Sequence, residues 1–369
     1  MRIAFFLSQY GQGGVERMLI NTARGLASRG HQVDYLSPAD GAFLGGLPAD
    51  IRHRPLPARP RQHRAALVDY IRENRPDSVI VGKDQDAVTA IRARDAAGTG
   101  VRVVVRPGTT VSRRLAGRNA IKRWRTYRAL RRTYRQADGI VANSEGVRDD
   151  IAAITGIASD AIHLVRNPVI TPDFHEAAAA EPVHPWFAPD EPPVLLGAGG
   201  LRRQKDFATL IAALARVREE REARLVILGG GHLEKELWSQ ARALGVAENV
   251  TMPGFVENPY PWMAQADLFV LSSLWEGSPN VLTEALALGT PVVATDCPSG
   301  PREILQGGQF GPLVPPGEPE AMATGILTAL RAPLPAAVLQ SATADYTMER
   351  NAEGYEAMLR DVHERAANR

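Results

Sequence analysis

Short apolar runs alternate with stretches of helical periodicity along the whole chain. In the first half the runs Ile3–Leu7, Val33–Leu36, Ser78–Val81, Arg102–Arg106 and Gly139–Ala142 read as strands. In the second, Val194–Leu196, Leu225–Leu228, Val250–Met252, Leu268–Leu271 and Pro291–Ala294 form a similar series. Apolar strands separated by helical patterns predict parallel sheets covered by helices on both faces, an α/β architecture. Pro168, Pro172, Pro182, Pro185, Pro189, Pro192 and Pro193 fall between the two series and read as a linker and domain entry. The chain of 369 residues is long for one domain and sufficient for two, so we expect domains at 1–170 and 171–347. A last helical segment, 348–369, carries Tyr355, Met358, Leu359 and Val362 at helical spacing. No tandem short repeat is present.

Candidate chemistry concentrates at strand ends. The run Leu268–Ser273 leads into Trp275-Glu276-Gly277-Ser278-Pro279-Asn280-Val281, and then into a helical pattern. Glu276 thus falls at the carboxyl end of a strand and Glu284 within the following helix. Ligands of open α/β sheets bind at that edge. Pro279 suits a helix start, Ser278 or Asn280 would cap it, and the exposed N–H groups there would attract a phosphate. Glu284 is flanked by Leu282 and Ala285-Leu286, and a glutamate so embedded needs a hydrogen-bonding partner. Gly13-Gly14 stands between the first strand and a helical run, where glycine lets backbone approach a ligand closely. Gly229-Gly230-Gly231 follows another strand, but Glu234 occupies the place of the third glycine in a dinucleotide-binding fingerprint.

Composition narrows the classes. Hydrophobic residues make up 44% of the chain, enough for large cores. No apolar run approaches the roughly 18–20 residues of a membrane span. The start, Met1 to Leu7, reads as a strand and not as a signal peptide. One cysteine, Cys297, leaves no intrachain disulfide, and a cytoplasmic location is the simplest expectation. No Cys/His cluster suggests a metal. The net charge of +2 hides an asymmetry: residues 1–170 hold 28 Lys or Arg against 15 Asp or Glu, so the first half is strongly basic and the rest acidic. Within 102–135 there are twelve Lys or Arg and no acid. Ile121, Trp124 and Tyr127 recur there at helical spacing among Arg118, Lys122, Arg123, Arg125 and Arg128. A basic amphipathic helix with tryptophan reads as a membrane-surface element, with nucleic acid as the rival partner.

The stretch from Glu276 to Glu284 resembles the Glu-x7-Glu signature of the retaining glycosyltransferases of family 4, the group 1 glycosyltransferases, which have the GT-B fold. Gly13-Gly14-Val15-Glu16-Arg17, Gly199 to Asp206, and Val292 to Asp296 are similar to further motifs of that family in order and spacing. The resemblance implies two Rossmann-like domains facing a cleft, with the last helix packing back on the first domain. It implies a retaining, metal-independent transfer of a hexose or N-acetylhexosamine from a UDP-sugar to a lipid-linked or polysaccharide acceptor. No cofactor is implied, and the tie over the basic helix goes to an anionic membrane on the inner face, without nucleic acid. Lys205 would offset the diphosphate charge and Glu276 would face the donor sugar. Glu284 would bind the ribose; Gly13, Gly14, Arg202, Gly229, Gly231, Phe255, Ser278, Pro279, Asn280 and Val281 would line the rest of the donor site. Glu16, Lys83, Arg106 and Thr109 would lie on the sugar or acceptor side. One departure stands out: Gly200 occupies the position of a family arginine that contacts the diphosphate. It keeps open the alternative of a nucleotide-sugar-binding partner protein with weakened catalysis.

Overall fold

The computed structural model describes residues 1–9, 13–40, 44–179 and 184–368. The chain divides into two compact units, Met1–Val169 with Tyr346–Arg369, and Ile170–Asp345.

The first unit is built on a seven-stranded sheet in the order β3-β2-β1-β4-β5-β6-β7. Its strands are β1 (Arg2–Phe6), β2 (Gln32–Ser37), β3 (Ile51–Pro55), β4 (Ser78–Val81), β5 (Arg102–Val105), β6 (Gly139–Ala142) and β7 (His163–Leu164). All pairs are parallel. The central strands are buried on both faces because helices cover both, which is why they read as unbroken apolar runs. The C-terminal helix Met348–Ala367 belongs to this unit: Tyr355, Met358, Leu359 and Val362 pack with Ile3, Phe5, Leu19 and Val141. Gly25 admits it, since a Cβ there would stand 3.1 Å from the Cβ of Ala352. Thr347 caps the helix by accepting from the Arg350 N–H, and His31 and Arg29 both bond Glu356 on its flank.

The second unit carries a six-stranded sheet, order β10-β9-β8-β11-β12-β13, from β8 (Val194–Ala198), β9 (Arg224–Leu228), β10 (Val250–Gly254), β11 (Leu268–Leu271), β12 (Val292–Thr295) and β13 (Leu313–Val314). It too is wholly parallel.

Three strands escaped the sequence reading, each for a physical reason. β3 is an edge strand whose Arg52 and Arg54 reach the buried Asp34 of β2. Its sequence, Ile-Arg-His-Arg-Pro, therefore lacks apolar character. β7 and β13 are two residues each, too short for any pattern.

In both sheets the strand order reverses direction once, between β1 and β4 and between β8 and β11. At such a switch point the loops leaving neighbouring strands diverge and open a crevice at the carboxyl edge.

Candidate active site

At the switch point of the second sheet, β8 and β11 are neighbours, Leu195 beside Leu268 and Leu196 beside Phe269. The loop after β8 delivers Lys205 and the loop after β11 delivers Glu276. Lys205 Nζ donates to Glu276 Oε1 at 2.6 Å. The Ser273 hydroxyl donates to the same oxygen at 2.7 Å. Both side chains are largely shielded from water. The two loops are also joined through their backbones. Gln204 Nε2 donates to the Trp275 carbonyl (2.9 Å), the Leu274 N–H to the Gln204 carbonyl (2.8 Å), and the Ser272 hydroxyl to the Lys205 carbonyl (2.7 Å). Two further bonds fix the floor: Thr295 Oγ1 to the Ser273 carbonyl and Ser299 Oγ to the Gly277 carbonyl. Asp206 holds a left-handed backbone, φ 47°, beside Lys205, and its carboxylate accepts from Thr209 Oγ1. Burial raises the Asp206 carboxyl above its usual range. Burial, and after it the charge of Glu276, pushes the Cys297 thiol up to about 12, so it stays protonated.

The helix after β11 runs Asn280–Ala287, with Pro279 at its N-cap and no side-chain capping bond. This corrects the expectation that Ser278 or Asn280 caps it. The Leu282 N–H bonds the Pro279 carbonyl at 3.1 Å, and the helix start carries partial positive charge. Ser278 and Pro279 are buried beside that start, and Asn280 and Val281 form its first, half-buried positions. Glu284 lies one turn in and is fully buried.

The glycines of the neighbouring loops have a reason within the fold. Gly229 adopts φ 132°, and any Cβ on it would collide with the Gly199 carbonyl oxygen. A Cβ on Gly231 would strike the Leu201 backbone. The loops are joined there by Gly199 N–H to the Leu228 carbonyl (2.8 Å) and Leu201 N–H to the Gly230 carbonyl (3.0 Å). Their close approach is thus first of all to the β8 loop. At Gly200 the Arg202 guanidinium fills the space a side chain would take, with Nε 2.8 Å from the place of a Cβ. Phe255 is half exposed past β10, at the sheet edge, two strands from β8.

The first unit holds a second charged pair. β1 and β4 are neighbours, and Glu16 and Lys83 follow them. Gly13 is the N-cap of the helix Gly14–Ser28 with an extended backbone, and Glu16 sits in its first turn. Lys83 Nζ donates to Glu16 Oε1 at 2.7 Å and to the Gln9 carbonyl at 2.7 Å. Asp86, which the sequence reading missed, is fully buried nearby; it accepts from the Ser8 hydroxyl and N–H, and burial raises its carboxyl. Arg106, expected on the sugar or acceptor side, also lies in this unit. It is buried inside the unit, bonds Asn167 Oδ1 at 2.5 Å and Tyr355 of the C-terminal helix, and burial lowers its pKa. Its guanidinium ties the end of β5 to that helix. Thr109 is half-buried beside it. Among the described residues no three His, Cys, Asp or Glu side chains gather as metal ligands.

Arg118, Lys122, Arg123, Trp124, Arg125 and Arg128 are all exposed, on or just before the helix Ala120–Tyr134. No helix among the described residues is long and apolar enough to cross a membrane.

Comparison with known proteins adds identity to this geometry. The family model described as glycosyl transferases group 1 matches residues 192–332, and the model described as glycosyltransferase family 4 matches residues 12–173. A Campylobacter jejuni N-acetylgalactosamine-N,N'-diacetylbacillosaminyl-diphospho-undecaprenol 4-alpha-N-acetylgalactosaminyltransferase is 34% identical over 53% of this chain and 52% of its own length. A Salmonella typhimurium lipopolysaccharide 1,6-galactosyltransferase is 32% identical over 49% of each chain. The chain thus spans about half the length of these curated relatives. The structure of Anabaena HepE in complex with UDP-glucose superposes with a TM-score of 0.72 at 21% identity, covering 100% of both chains. One family model per unit, and a shared architecture along the whole length, show that the chain belongs to the group 1 glycosyltransferases and has the GT-B fold.

Proposed function

We propose that this protein is a retaining, metal-independent hexosyltransferase. It moves a hexose or N-acetylhexosamine from a UDP-sugar to a lipid-linked or polysaccharide acceptor. The observation that carries the reading is the Lys205–Glu276 pair, shielded at the switch point of the second sheet. A UDP-sugar has the matching chemistry: a diphosphate for the ammonium and the N–H groups, a ribose for Glu284, and a sugar for Glu276. The relative acting on a diphospho-undecaprenol substrate and the neighbour holding UDP-glucose support the donor and acceptor classes.

In the reaction the bond between the anomeric carbon and the diphosphate oxygen breaks, and its electron pair stays on the diphosphate. The acceptor hydroxyl oxygen forms the new bond on the same face, and its proton passes to the departing diphosphate. Lys205 and the start of the helix Asn280–Ala287 offset the charge that grows on that leaving group. Arg202 supplies the second cation over Gly200. The Glu276 carboxylate, held by Lys205 and Ser273, stabilises the oxocarbenium-like sugar. Glu16 and Lys83 are assigned to the acceptor side.

The test is UDP release from a panel of UDP-sugars by wild type and Glu276→Ala. Release from one sugar, lost in the variant, is expected. UDP binding with no release from any sugar, in the presence of lipid-linked and polysaccharide acceptors, would overturn transferase activity.

A further inference from the structure

Asp34 lies in mid-strand on β2, between Ala4 of β1 and Arg52 of β3, and is fully buried. A carboxylate so placed needs partners. Tyr70 of the helix His63–Asn74 is one: its hydroxyl donates to Asp34 Oδ2 at 2.7 Å. Three guanidinium groups gather on the same carboxylate. Arg2 Nε stands 3.4 Å from Oδ2, and Arg52 Nε and Arg54 Nε stand 3.1 and 3.8 Å from Oδ1. No other carboxylate is within ion-pair distance of these three side chains among the described residues. One negative charge therefore faces three positive ones. A single arginine beside Tyr70 would neutralise Asp34, so two cations are left over.

The surplus is turned outward. In all three pairs Nε is the nearest nitrogen, so the terminal Nη atoms of each fork lie farther from the carboxylate. Arg2 uses its Nη1 on the Asn74 carbonyl, at 2.6 Å. Arg52 and Arg54 make no hydrogen bond among the described residues, and their side chains are 50% and 45% exposed. They stand two apart on one strand and so on one face of the sheet. β3 is the edge, paired with β2 alone. Two guanidinium forks held side by side from behind match the oxygens of a phosphate, which takes such forks through paired N–H donors.

We propose that Arg52 and Arg54 form a binding site for a phosphate group carried by a small soluble molecule. A doubly charged phosphate matches a surplus of two, whereas a carboxylate would leave half of it. Solution is the source, because Ile51 and Leu56 are buried and no large apolar side chain of residues 51–56 is exposed to enter a bilayer. The site is separate from the proposed reaction. Glu16 and Lys83 follow the carboxyl ends of β1 and β4, whereas Arg2 begins β1, and Lys205 and Glu276 belong to the other unit.

The test is calorimetric titration of the full chain with inorganic phosphate, with and without saturating UDP. A phosphate site that UDP does not displace is expected. Arg52→Gln with Arg54→Gln removes it, an affinity loss of about 100-fold or more for two charge-assisted contacts, and leaves UDP affinity unchanged. Arg54→Gln alone weakens it about tenfold. That residue is the farthest of the three from Asp34, so this variant keeps the wild-type melting temperature in phosphate-free buffer and reads the site even if the double variant fails to fold. No phosphate binding, binding that UDP abolishes, or undiminished affinity in the variants would overturn the proposal. Capture by vesicles containing phosphatidic acid, dependent on both arginines and without binding of free phosphate, would also overturn it and place the phosphate on a lipid.

Discussion

Each unit places one lysine and one glutamate at the switch point of its sheet, and the two pairs are built differently. In the first unit Glu16 rides on the first turn of a helix, where the dipole favours a carboxylate, and Lys83 is the N-cap residue of the next. Lys83 Nζ is shared between that carboxylate and a backbone carbonyl, and its side chain is 32% exposed. In the second unit neither partner lies on a helix. Lys205 and Glu276 stand on two loops bonded to each other, Ser273 fixes the carboxylate, and Lys205 is only 15% exposed. Two loops that brace one another hold charges in place without a helix to carry them. The drier pair is the one suited to stabilise charge that develops during a reaction, because fixed charges act more strongly where water is excluded.

Four measurements would break or sharpen this contrast. The largest effect is expected at Lys205→Ala, which lowers kcat by about 100- to 1000-fold, as removal of one preorganised donor does. Steady-state kinetics with the accepted UDP-sugar checks it. Next, Arg202→Ala weakens donor binding about 10- to 100-fold, the effect of losing a charge-assisted phosphate contact. Gly200→Arg changes little in the wild type, because Arg202 already fills that space, and restores affinity in the Arg202→Ala background. Failure of the double variant to recover, by calorimetry, would remove Arg202 from the diphosphate site. Third, Gly229→Ala destabilises by about 1–3 kcal/mol through collision with the Gly199 backbone. Gly230→Ala, with open space around it, stays within about 0.5 kcal/mol in urea unfolding. Equal effects would deny the packing reason for these glycines. The smallest effect is Lys83→Ala, which loses about 1 kcal/mol of stability, since a pair with a half-exposed lysine is partly screened. It raises the acceptor KM and leaves UDP affinity unchanged.

Much of this was legible in the sequence, and the reasons for the remainder are specific. Buried parallel strands announce themselves as apolar runs, so Leu268–Leu271 stands where expected. β3 did not, because its arginines serve Asp34 from the sheet edge. The pairing of Lys205 with Glu276 has no signature in local spacing; family resemblance placed the residues together and the β8–β11 neighbourhood explains why. Ser273 supports that pair through the fold alone, and only a serine at a strand end hinted at it. The bonds that Arg106 makes were not legible from its place after a strand. Its burial is set by Tyr355 on a helix from the far end of the chain, which no local pattern encodes.

The most direct test of the account is calorimetric titration of UDP into wild type, Lys205→Ala and Lys83→Ala, with folding of each verified by thermal unfolding. The account predicts UDP affinity about tenfold or more weaker in Lys205→Ala and unchanged in Lys83→Ala. Equal affinity in all three, or a loss confined to Lys83→Ala, would contradict the assignment of the donor site to the second unit.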